Sequence, residues 1–416
     1  MAYRFVSSSL LLLGLLACSG GPDPAADHGS TDGGTGNADT SSSSESGSSE
    51  TGETGETGEH EDEDESESET GETGTDEQPI YPDPDWQTGL PEDHGLSSEG
   101  LVELAELAES LDSNCLLIVH EGVLVGEWYW NGYDAETDQP NVFSVTKSVS
   151  SALIGIAEAQ GLLGLNDSAA DYIEEWAGGE SDAVTIRNLI SNDSGREWSF
   201  TADYLTMTGA ADQTQFAIDL GQQRPIGSWW EYNNSAIQTL ERVLEVATGQ
   251  DLEEFAQANL FGPIGMGVTM GRDNAGNPQT YQGLSASCRD LARFGYLYLR
   301  EGEWAGGQQI VSSAWVHVST IPSTALNSAY GFMWWLNVDG HWVLPSAPLR
   351  EEGDGKLFAG APEDMFAAVG ALGQVVVVDP GSGYVFVRLG DAPDVTDLTG
   401  FGKLQALWEA FSAAKL

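Results

Sequence analysis

Basic residues are scarce in this chain. Its 416 residues hold 15 Lys plus Arg against 66 Asp plus Glu, a formal net charge of −51. Nucleic-acid binding rests on neutralising phosphates with basic groups, so nucleic acid is excluded as a partner. The same deficit argues against a free-standing role on anionic membrane surfaces. Cysteine is scarce as well. Cys18, Cys115 and Cys288 can neither staple a disulfide scaffold nor build a four-ligand zinc site alone. The glycine-rich runs near the N-terminus follow no strand and open no helix, so they carry no nucleotide-binding signal. What the chain does have is 40% apolar residues and 13 Trp, enough for a sizeable core. The length allows one large domain or two small ones.

The first eighteen residues read as an export signal. Arg4 is followed by the apolar run Leu10 to Leu16, which suits a signal peptide and is too short for a spanning helix of roughly 20 residues. The run ends in Leu15-Leu16-Ala17-Cys18, which resembles a bacterial lipobox. The expectation is lipidation of Cys18 and a cell-envelope location, with the membrane contacted only through that anchor. Ser19 to Gln78 is low-complexity Ser/Thr/Gly/Glu with 19 acidic residues and no Lys or Arg. It has too little apolar surface to offset its ordering entropy, so 19–78 reads as a flexible tether. The run from His60 to Glu65 is read as solvated charge rather than a cation site.

The folded part, 79–416, keeps 47 acidic and 14 basic residues, a net of −33. Leu101, Leu104, Ala108 and Leu111 share one helix face. Cys115–His120 and Val123–Trp130 read as strands joined at Glu121-Gly122. From about 141 to 322 the pattern is mostly helical, with periodic segments at Val145–Ile156, Ala236–Ala247 and Ser287–Leu299. Strand patterns return at Tyr330–Asn337, Phe366–Val369, Val375–Asp379 and Tyr384–Leu389, and Leu404, Leu407, Trp408 and Phe411 mark a closing helix. A short-turn hairpin implies antiparallel pairing. The expected fold is α+β: one antiparallel sheet built from both chain ends and flanked by helices, with a mostly helical lobe inserted at about 141–322. A cleft between two lobes is a common place for a site.

The chemistry concentrates at Ser144-Val145-Thr146-Lys147, at the start of a strongly apolar helix. Positions i and i+3 share a helix face, so the ammonium can reach the hydroxyl. The chain has four lysines, and Lys147 is the one embedded in an apolar stretch. Burial lowers a lysine pKa towards a value useful for a base. The helix N-terminus offers free amides and a positive dipole end for a developing oxyanion. Two further motifs follow: Tyr232-Asn233-Asn234, and the strand-to-turn run Ala367 to Gln374.

These three motifs, in this order, resemble those of the serine β-lactamase and penicillin-binding-protein superfamily, nearest its class C β-lactamase-related branch of esterases, peptidases and 6-aminohexanoate-oligomer hydrolases. The likeness covers nearly all of 96–416. It implies a β-lactamase/transpeptidase-like fold. It further implies Ser144 as nucleophile, Lys147 and Tyr232 as proton-transfer groups, and Asn234 holding Lys147 or a substrate carbonyl. Gly370 and Ala371 would stand beside Ser144 in the oxyanion hole. No metal or organic cofactor is implied. Where relatives carry Lys-Thr-Gly or His-Thr-Gly, this chain reads Ala368-Val369-Gly370. The lost cation points away from β-lactams and towards a small or peptide-like ester or amide, neutral or cationic. A β-lactam-acting or D-amino-acid peptidase and a non-catalytic surface binding module are the alternatives.

A Ser-His-Asp hydrolase would need a G-x-S-x-G elbow; Gly283-Leu284-Ser285-Ala286-Ser287 lacks the second glycine, and His120, His317 and His341 read as structural. Trp229-Trp230 and Trp334-Trp335 are candidate cleft walls, with core packing preferred. Cys115 and Cys288 could form a disulfide in an oxidising compartment; two free buried thiols are the preferred expectation, since sequence gives no distance between them.

Overall fold

The computed structural model describes residues 79–416 apart from 83, 136, 347–348 and 392–398. The expected signal peptide, Cys18 and the tether lie outside the described residues. Ser97 opens the first long helix, α1 (Ser98–Ser110): its hydroxyl accepts from the Gly100 amide, and Leu101, Leu104, Ala105 and Ala108 bury one face. It follows the short strand β1 (Gln87–Thr88). Next come β2 (Ser113–His120) and β3 (Val123–Tyr129). The Glu121-Gly122 turn between them has positive φ at both residues, 49° and 86°, as a two-residue hairpin requires.

α2 (Val145–Ala159) begins the helical lobe, which also holds α3 (Asn234–Gln238). α4 (Cys288–Leu299) is opened by a reciprocal cap between Ser287 and Asp290. The remaining strands of the main sheet and the closing helix are β4 (Trp335–Leu336), β5 (Phe366–Gly370), β6 (Gln374–Asp379), β7 (Tyr384–Gly390) and α5 (Phe401–Ala414).

The seven strands form one sheet in the order β1-β3-β2-β7-β6-β5-β4. Its centre pairs the two chain ends: β2 runs antiparallel to β7, with His120 opposite Tyr384 and Cys115 opposite Leu389. The expectation of a purely antiparallel sheet is corrected at the edge. Gln87 and Thr88 pair in parallel with Val123 and Leu124, so the sheet is mixed.

Both sheet faces are buried. Cys115, Leu117 and Val119 face one apolar core with Val376, Val378, Val385 and Val387. Leu116 and Ile118 face the other with Val375, Val377 and Phe386. This is why Val375–Val378 is apolar throughout instead of alternating. α1 and α5 cover the second face. α4 covers the first, and a Cβ on Gly295 would lie 2.6 Å from a Val385 methyl, so only glycine lets this helix seat. α4 therefore belongs with the sheet, although it falls inside the 141–322 span read as the helical lobe.

The expectation of free thiols is also corrected. Cys115 on β2 and Cys288 at the start of α4 form a disulfide, with Cα atoms 6.5 Å apart. Packing α4 on the sheet brings the two residues within bonding reach. A third difference lies at Tyr330–Asn337, of which only Trp335–Leu336 is strand. Met333 has φ 62° and its amide bonds back to Gly331 O, which bends the chain away from the sheet.

Candidate active site

Ser144 sits at a sharp turn into α2. The preceding Phe143 has φ 49°, a region few non-glycine residues occupy. Local polar groups fix that conformation. Phe143 N donates to Asn141 Oδ1 at 2.7 Å, and Thr146 Oγ1 donates to Phe143 O at 2.6 Å. Val142 N and Leu284 O, 2.8 Å apart, tie the turn to the segment before α4. Ser144 is the N-cap of α2, and its carbonyl accepts from Lys147 N at 3.0 Å.

Lys147 is 1% exposed. Its Nζ donates to Ser144 Oγ at 2.9 Å and to Tyr281 O at 2.7 Å, and lies 4.7 Å from the centre of the Tyr232 ring. Burial pushes the ammonium down to about 7, with Asp203 pulling the other way. Burial also raises the Tyr232 phenol well above its ordinary value, and the Ser144 hydroxyl beside it opposes that rise. Ser144, Lys147 and Tyr232 are thus brought together. Tyr232 is walled by Trp335, stacked at 5.8 Å, and by Tyr330 and Trp230.

Gly370 ends β5 directly against the Ser144 turn. A Cβ there would collide with Val142 O and lie 3.2 Å from Ser144 N. Glycine is the residue that lets the end of β5 approach this closely. Ala368 and Val369, buried in β5, offer no polar side chain to a ligand.

Of the two roles expected of Asn234, a hydrogen bond to Lys147 is not present among the described residues. Asn234 begins α3, and its Nδ2 donates to Asp203 Oδ2 at 2.8 Å, while Lys147 is held by the Tyr281 carbonyl. Asp203, 1% exposed, accepts four hydrogen bonds of 2.7–3.1 Å from the amides and side chains of Asn234 and Ser235. Desolvation raises its carboxyl pKa, against the pull of these bonds and of Lys147. It is the buried carboxylate of the site, and sequence reasoning missed it. No spacing rule links Asp203 to a lysine 56 positions earlier.

None of the three histidines is a hydrogen-bond partner of Ser144 among the described residues. His120 bonds His94, His341 bonds Asp354, and His317 ends a short helix. Trp230, Trp334 and Trp335 are core residues, as preferred, while Trp229 is half-buried. No group of three or more His, Cys, Asp or Glu stands in a metal-binding array among the described residues.

A hydroxyl within hydrogen-bond reach of a buried amine, beside a phenol, can perform acyl transfer. A family model described as Beta-lactamase matches residues 115–394. The chain belongs to that family. Its members are serine hydrolases with esterase, amidase and peptidase relatives. The 6-aminohexanoate-dimer hydrolase of Paenarthrobacter ureafaciens is 22% identical over 326 residues, covering 70% of this chain and 76% of the relative. A Bacillus anthracis protein provisionally described as a 6-aminohexanoate-dimer hydrolase shares the fold, with TM-score 0.63, 21% identity, and 81% and 90% of the two chains covered. So does EstCE1, described as a hydrolase with promiscuous acyltransferase activity: TM-score 0.57, 17% identity, 76% and 100% covered.

Proposed function

We propose that this Beta-lactamase-family protein hydrolyses an ester or amide through an acyl-enzyme on Ser144. The observation that carries the reading is the 2.9 Å contact between Ser144 Oγ and a buried Lys147 amine whose pKa is brought down to about 7. A neutral amine near neutral pH can take the hydroxyl proton as Oγ attacks the acyl carbon. The Ser144 and Ala371 amides receive the oxyanion. Tyr232 passes a proton to the leaving group, and water then cleaves the acyl-enzyme. Relatives named as a 6-aminohexanoate-dimer hydrolase and as a hydrolase with acyltransferase activity support this class of reaction. Ala368 and Val369 favour a substrate without a carboxylate at that position. Matched neutral and anionic esters test this: the neutral ester is turned over faster, and a preference for the anionic one overturns it.

The test of Ser144 is intact mass after incubation with a reactive fluorophosphonate. One adduct on wild type and none on Ser144→Ala is the expected result. An adduct on both chains would sink the assignment. We further propose that the protein is lipid-anchored at Cys18 in the cell envelope. The Cys115–Cys288 bond supports export, because such bonds persist in oxidising compartments. Mass spectrometry of the membrane-extracted protein checks this, and an unmodified Cys18 rejects it.

A further inference from the structure

The segment that carries Tyr232 has two faces. Glu231 N donates to Asn192 O at 3.0 Å and Asn233 N to Asn192 Oδ1 at 3.1 Å, and Asn233 is extended (φ −114°, ψ 96°). Successive side chains of an extended segment point to opposite sides. Trp230 and Tyr232 face the aromatic wall of the Ser144 site, and Asn234 faces Asp203. Trp229, Glu231 and Asn233 instead line a cavity of about 210 Å³. Its other walls include Arg196, Trp198 and Arg224; Ser144, Lys147 and Tyr232 do not line it.

This cavity gathers positive charge in an acidic molecule. Arg196 is 5% exposed, yet its hydrogen bonds go to neutral acceptors only: Ser181 Oγ and the carbonyls of Ala217 and Ile218. Its Nε has no partner among the described residues, and neither does the indole N–H of Trp198. The Arg224 guanidinium lies over the Trp229 ring at 4.4 Å and makes no hydrogen bond or ion pair among the described residues. One carboxylate lines the cavity beside these donors. Glu231 Oε2 takes the Trp229 indole N–H at 3.2 Å and lies 3.9 Å from Arg350, while Oε1 is buried without a partner. Arg350 stands 3.9 Å from Glu231 and 2.6 Å from Glu352, whereas Arg196, with the Glu197 charge nearby, and Arg224 make no ion pair among the described residues. A ligand carboxylate placed among these guanidinium and indole donors would accept charge-assisted hydrogen bonds and meet the positive charge of the cavity.

We propose that this cavity binds a small organic carboxylate that also carries one proton-donating group, a hydroxyl or an amine, at a site separate from the Ser144 cleft. The carboxylate accepts from the Arg224 guanidinium and the Trp198 indole, and the donor group supplies the missing partner of Glu231 Oε1. The site does not depend on any chemistry at Ser144.

Calorimetric titration of the full chain with three isosteres tests this: mandelate (carboxylate and hydroxyl), phenylacetate (carboxylate alone) and mandelamide (neutral). Mandelate is expected to bind saturably, at least about tenfold tighter than either of the others, as the loss of one charge-assisted or buried hydrogen bond implies. Arg224→Gln, at an exposed side chain, should erase the preference over mandelamide. Trp198→Phe, which keeps the ring and removes the donor, should also weaken mandelate. Ser144→Ala and the fluorophosphonate-capped chain should bind as wild type. Absence of saturable binding, equal affinity for mandelamide, or unchanged affinity in both variants overturns the proposal. Equal affinity for phenylacetate overturns the part given to Glu231. Loss of binding on capping Ser144 moves the ligand into the catalytic cleft and overturns the separate site.

Discussion

Lys147 is held by two oxygens, one from Ser144 and one from the Tyr281 backbone, and neither carries a charge. Burial therefore favours its neutral form, and its pKa falls from 10.5 to about 7. If the neutral amine is the base, fluorophosphonate labelling should accelerate as pH rises through about 7 and then level off. Asp203 is the nearby group that favours the ammonium. Asp203→Asn should move this limb to lower pH, and a limb that stays in place would remove Lys147 from the role. The same variant should lower stability by roughly 2–4 kcal/mol, since the carboxylate answers four donors. At this scale the sequence was readable where contacts are local. Ser144 and Lys147 are one helical turn apart, and Tyr232 stands in a motif. Asp203 meets Asn234 across 31 positions and Tyr281 O meets Lys147 across 134, and no periodicity encodes such meetings.

The elements were legible in kind and less so in their seating. The strands of the sheet centre were visible as apolar runs because both faces are buried. Tyr330–Asn337 looked equally strand-like, since its backbone bend is set by packing and not by turn residues. The side of the molecule that α4 covers was invisible too, and with it the Cys115–Cys288 bond. Two variants probe how elements meet. Gly370→Ala would push β5 off the Ser144 turn; labelling should slow roughly tenfold to a hundredfold, with a modest change in melting temperature. Wild-type labelling in that variant would separate Gly370 from the oxyanion site. Cys115→Ala with Cys288→Ala frees a loop of 173 residues and should destabilise the fold by about 2–5 kcal/mol in a denaturant titration. An unchanged midpoint would mean that α4 seats without the bond.

The whole molecule is closed by its last elements. α5 lays Leu404, Leu407, Trp408 and Phe411 on the same core as α1, Leu116 and Ile118. A chain ending before Phe401 would expose that core, so its thermal unfolding by circular dichroism should lose cooperativity. A sharp transition near the wild-type temperature would refute this. The sheet centre has the same dependence, because Arg388 on β7 reaches Ser113 on β2 across 275 positions. Such distant pairings form slowly. They also set a clock during synthesis: until Gly390 has left the ribosome, β2 has no β7 to meet. Through most of its translation the sheet therefore lacks the pairing at its centre. The order in which the strands are made would thus hold the sheet open until the chain is nearly complete, with no separate device for doing so.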